Sequence, residues 1–174
     1  MATATDERLD EARRRLVRLE VETRRATADA KSRMQRYIDT LRRDEESARA
    51  SAHERAAAVD ERIEKLDNEL ELAEHRVAAE FAATEEQFTG AIEAELHSWD
   101  QYLDRMQAKA AAKSGAAREQ AEAAIADLRQ RRVAISNSLA DASTAAGEQW
   151  HEAKTRVLAE LDELKSKADA ARRD

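Results

Sequence analysis

In 174 residues there is no proline, and glycine occurs only as Gly90, Gly115 and Gly147. These two residue types interrupt regular backbone most readily, so the chain has few points at which to turn. A sheet protein needs frequent turns and many β-branched or aromatic residues, yet aromatics make up 3%. The predicted fold class is therefore all-α. Charged residues make up 39% and alanine is abundant, a profile that long helices and coiled coils share. Thirty basic and 37 acidic groups leave a net charge of −7. Self-repulsion is then weak, and strong helix formers predict ordered helix rather than coil.

Larger apolar residues recur every three or four positions, the spacing of one helix face. The stripe runs through Leu9, Leu16, Leu19, Met34, Ile38 and Leu41, and resumes at Val59, Ile63, Leu66, Leu70, Val77, Phe81 and Phe88. It continues through Ile92, Leu96, Trp99, Leu103 and Met106, then Ile125, Leu128, Ile135 and Leu139, and ends with Trp150, Val157, Leu161 and Leu164. These residues are the candidate core and interaction stripe. With alanines filling the gaps the mean step is about 3.6, which predicts weak supercoiling. Residues 44–58 and 107–123 hold only small and polar side chains. Such stretches bury little apolar area and mark weak zones or turns.

A shift of 87 residues places Leu16 on Leu103, Leu19 on Met106, Ile38 on Ile125, Leu41 on Leu128, Ile63 on Trp150 and Leu70 on Val157. The register suggests an internal duplication, with halves 1–89 and 90–174 in one structural unit and a junction at Thr89-Gly90. Charge also alternates: residues 1–43 carry 12 basic and 8 acidic groups, whereas residues 60–100 carry 3 basic and 13 acidic. Residues 101–139 are net +3 and residues 140–174 net −2. Two antiparallel architectures fit. One is a coiled-coil hairpin that turns at Gly90, with a first helix on the order of 120 Å long. The other is an elongated four-helix bundle with extra turns near residues 46–52 and 136–146. Either leaves a thin core, so association with a second copy or another helical protein is expected.

No residue set points to chemistry. Cysteine is absent, which excludes disulfides, thiol catalysis and cysteine metal sites. The N-terminal residues lack a signal-length apolar stretch, and no run approaches the ~18 apolar residues of a membrane span. Cytoplasmic residence is expected. His53, His75 and His97 are spaced by 22 residues, so on one helix they lie about 33 Å apart and cannot share an ion. A di-iron bundle needs two Glu-x-x-His pairs, and only Glu148-Gln-Trp-His151 has that spacing. There is no glycine-rich phosphate loop. No catalytic, cofactor, metal or small-molecule site is predicted. Arg13-Arg14-Arg15 with Arg18, Arg24 and Arg25 makes the first segment basic, but the whole chain is acidic. That segment reads as a partner for residues 60–100 rather than as a nucleic-acid footprint. Trp99 and Trp150 read as core anchors.

The second half carries Trp99, Leu103 and Met106, then Ile125, Leu128 and Arg129, then Gly147, Trp150, Lys154 and Val157. Over residues 92–168 this pattern resembles small bacterial coiled-coil proteins often labelled stress-response proteins. The arginine and alanine usage is similar to that of a high-GC bacterium. The first half lacks both tryptophans and the glycine, as a diverged copy would. The resemblance implies a non-enzymatic, stress-related helical protein and supplies no catalytic residues. The 22-residue histidine interval is similar to the helical repeats of apolipoproteins, which implies a second reading: reversible binding to a membrane surface.

Overall fold

The computed structural model describes residues 4–24, 28–50, 56–145 and 147–171. Those residues form α1 (Ala4–Thr23), α2 (Ala28–Ala50), α3 (Ala56–Phe81), α4 (Glu85–Ala111), α5 (Gly115–Ala142) and α6 (Glu148–Ala171). Among the described residues there is no strand. The chain is all-α, as its scarcity of breakers predicts. It divides into two compact units, residues 1–91 and residues 92–174.

The long hairpin and the four-helix bundle are both corrected. Among the described residues the longest helix, α5, has 28 residues and spans about 42 Å. Gly90 is not a turn. It lies inside α4 with open space where a Cβ would sit. The break falls before it, at residues 82–84. There the Gln87 N–H donates to Thr84 Oγ1, and the Ala83 N–H donates to Gln87 Oε1. Thr84 thus caps the start of α4 by accepting from a backbone N–H that a helix start leaves unpaired, and the Gln87 side chain reaches back to the residue before the cap. The other two glycines do mark breaks. Gly115 and Gly147 have φ of +56° and +61°, a left-handed conformation that costs other residues free energy.

In the first unit, three helices close on one core. Ala12, Leu16, Leu19, Met34, Ile38, Leu41, Leu66, Leu70, Ala73 and Val77 form one buried cluster. Leu9, Ala48 and Ile63 form a second. Cross-helix ion pairs define the directions. Arg8 meets Asp67 and Arg15 meets Glu74, both at a separation of 59 residues, so α1 and α3 run parallel. Lys65 meets Asp44 and Ile63 meets Ala48, so α2 runs antiparallel to α3.

In the second unit, α5 and α6 approach closely. Arg131 reaches Glu163 and Ser138 reaches Glu160, so these helices are antiparallel. Arg129 and Arg132 tie α5 to Asp104 and Asp100 of α4, also antiparallel. Ile125, Leu128, Ile135, Leu139, Val157, Leu158, Leu161 and Leu164 are buried. Trp99 is 1% exposed and meets Tyr102 edge-on, with ring centroids 5.5 Å apart.

Candidate interaction surface

The sequence-predicted stripe divides into a core and an edge. Leu16, Leu19, Ile38, Leu41, Ile63, Leu66, Leu70, Phe88, Trp99, Leu103, Ile125, Leu128, Val157 and Leu161 are buried. They are used up inside the fold and leave no surface for a partner. Three stripe residues depart from this: Phe81 is exposed, and Met106 and Trp150 are half-buried. All three lie near a helix end, where fewer neighbouring turns cover a side chain. Phe81 is the last residue of α3, and Trp150 is the third of α6. Trp150 is partly buried, whereas Trp99 is fully enclosed. The side chain of Val59 and the whole of His53 lie outside the described residues.

The exposed faces carry ordered electrostatics. In the first unit Arg15 Nε and Nη2 each donate to a Glu74 carboxylate oxygen at 2.9 Å. This two-point pairing raises the Arg15 pKa, the hydrogen bond to Glu74 being the main cause. In the second unit Arg132 grips Asp100 in the same way, at 2.8 and 2.6 Å. Arg131 donates to Asp127 at 2.9 Å and to Glu163 at 2.6 Å, and those bonds raise its pKa, Asp127 contributing most. Forked pairings of this kind fix orientation as well as adding energy. The expected match between the basic first segment and residues 60–100 takes this form, between parallel α1 and α3.

One region is built differently. Large apolar side chains exposed among the described residues are Val17, Val21, Phe81 and Val133. The first three belong to one end of the first unit. The offset of 59 that joins Arg8 to Asp67 and Arg15 to Glu74 also brings Glu22 alongside Phe81. Glu22, Val77, Ala78 and Phe81 line a shallow, open groove of 210 Å³. Val17 and Val21 lie one turn apart on the side of α1 away from buried Ala12 and Leu19. Arg13, Arg14, Arg18 and Arg24 flank them and are exposed. Arg14 is paired with Glu11 and holds the Glu11 carboxyl below its ordinary pKa, chiefly by hydrogen bonding.

This surface is not legible as a site in the sequence. Val17 and Val21 fall off the main stripe, and that displacement is the available signal.

The groups weighed for metal or catalytic work do not converge. His97 and His151 are exposed on different helices, and Glu148 and His151 both face outward at the start of α6. Among the described residues no three histidine, aspartate or glutamate side chains are placed to hold one ion. No helix of the described residues is long and apolar enough to cross a membrane. Comparison with family models, with curated proteins and with solved structures gives no match.

Proposed function

We propose that this chain is a non-enzymatic interaction scaffold, two three-helix units that associate with a second copy or with another helical protein. The observation that carries this reading is the gathering of Val17, Val21 and Phe81 at one end of the first unit. Scattered exposed apolar side chains are ordinary, whereas gathered ones mark contact surfaces. Cytoplasmic residence and a stress-related role remain part of the proposal, the first resting on composition and the second on the resemblance over residues 92–168.

The direct test is molar mass by light scattering across a wide concentration range. The expected result is a rise above the 19.5 kDa of one chain. A mass fixed at that value at every concentration would remove self-association.

A second reading is supported by the same place. Four arginines beside two valines on one helix face also suit an anionic lipid surface. Co-sedimentation with anionic but not neutral vesicles would favour it. No co-sedimentation would end it.

A further inference from the structure

We infer that the partner of the Val17–Val21–Phe81 surface is a second copy of this chain, docked about a two-fold axis so that each copy's α1 valines enter the other copy's Phe81 groove. The inference rests on the self-association reading above and specifies its surface. Two complementary halves lie side by side at one end of the first unit. One half is basic and aliphatic: Val17 and Val21, at 51% and 47% exposure, between Arg13, Arg18 and Arg24. The other is apolar with an acidic rim: the groove beside Phe81, which is 39% exposed, bordered by Glu22.

A single copy cannot join its own halves. Val17 and Val21 project from the outer side of α1, while the groove lies on its α3 side. Around the helix, Arg18 sits between the valine row and Glu22. Arg18 and Glu22 are four residues apart but form no ion pair among the described residues. Arginine placed before the acid is also the weaker order for pairing within a helix. Both groups are therefore available to a neighbour.

A two-fold axis midway between Arg18 and Glu22 makes the contacts reciprocal. Arg18 of each copy meets Glu22 of the other, and each valine pair meets the other copy's Phe81. A self-complementary patch of this kind closes as a dimer, whereas a one-way contact would extend into a filament. The patch is one helix flank and one shallow groove. Salt weakens the dimer by screening the arginine–glutamate contacts.

The test is analytical ultracentrifugation of the full chain over a wide concentration range at low and physiological salt, with four variants. Val21→Glu and Phe81→Glu each place a charge in the contact, and each is expected to weaken the dimer by at least about tenfold. Arg18→Glu is expected to weaken it less, and Arg18→Glu combined with Glu22→Arg to restore much of the loss. These side chains are exposed, and circular dichroism checks that each variant keeps its helix. Dimerisation unchanged in all four variants would overturn this surface and leave self-association standing. Assembly beyond the dimer would overturn the two-fold arrangement. A wild-type chain that stays monomeric would overturn both the inference and self-association. If that monomer bound anionic vesicles and Val21→Glu abolished the binding, the surface would belong to lipid instead.

Discussion

The two units solve the same packing problem with different volumes. Under the 87-residue register, Leu9 and Leu96, Leu16 and Leu103, Ile38 and Ile125, Leu41 and Leu128, Leu70 and Val157, and Val77 and Leu164 are buried in both. Helices α2 and α5 start 87 residues apart, at Ala28 and Gly115. Yet Ala12 in the first unit corresponds to Trp99 in the second, each 1% exposed. Around Ala12, α1 comes close to both α2 and α3; in the second unit the close approach is between α5 and α6. Helix spacing follows the side chains at the contact. The period of a buried stripe thus sets which face turns inward, and the size of its residues sets how near the helices come.

Exchanging those volumes breaks the comparison most sharply. Trp99→Ala empties an enclosed site and is expected to cost the second unit ~3–5 kcal/mol. Ala12→Trp forces a large ring between closely approached helices and is expected to cost the first unit at least ~1–3 kcal/mol. Chemical denaturation followed by tryptophan fluorescence and circular dichroism reads both. A loss below about 1 kcal/mol for Trp99→Ala would mean that the second unit does not depend on that ring.

The glycines sharpen the comparison at the next level. Gly147→Ala must take a left-handed φ of +61° and is expected to destabilise by about 1 kcal/mol. Gly90→Ala, at an exposed position inside α4 with nothing near its Cβ position, is expected to stabilise by about 0.5–1 kcal/mol. Opposite signs in thermal melts bear this out; equal signs contradict it.

The smallest effect concerns charge. Arg14 lowers the Glu11 pKa. A carboxylate whose pKa is lowered by folding contributes stability above its unfolded pKa, and loses it as pH falls through the folded value. Glu11 is exposed, so the contribution is slight. In Arg14→Ala the Glu11 pKa should rise toward the ordinary carboxylate range, read by NMR titration. No rise would assign the shift elsewhere.

Helical class, the buried stripe and the 87-residue register are legible in the sequence because each depends on repeated spacing summed over many residues. The exact breaks are not. A glycine permits a turn without requiring one, so Gly90 alone decides nothing, while Thr84 and Gln87 satisfy a helix start at a site without glycine. The Thr-x-x-Gln pattern is a quieter signal than a glycine, because it takes effect only where the preceding helix has already ended. The thin stretch 107–123 does contain a break, since α4 ends at Ala111 and α5 starts at Gly115; residues 51–55 of the other thin stretch lie outside the described residues. A core residue announces itself by period, and Phe81 lies on that stripe; Val17 and Val21 acquire meaning only once α1 lies beside α3.

The central claim is that short helices fold back within each unit instead of running on as a rod. Electron-spin distance measurement between labels at Glu7 and Glu61, both exposed, tests it directly, since the chain has no native cysteine to compete for labelling. Parallel α1 and α3 place the two labels within roughly 25 Å, given neighbouring helix axes 8–10 Å apart and the reach of the labels. A continuous helix would separate them by about 81 Å, and a dominant distance in that range would contradict the fold described above.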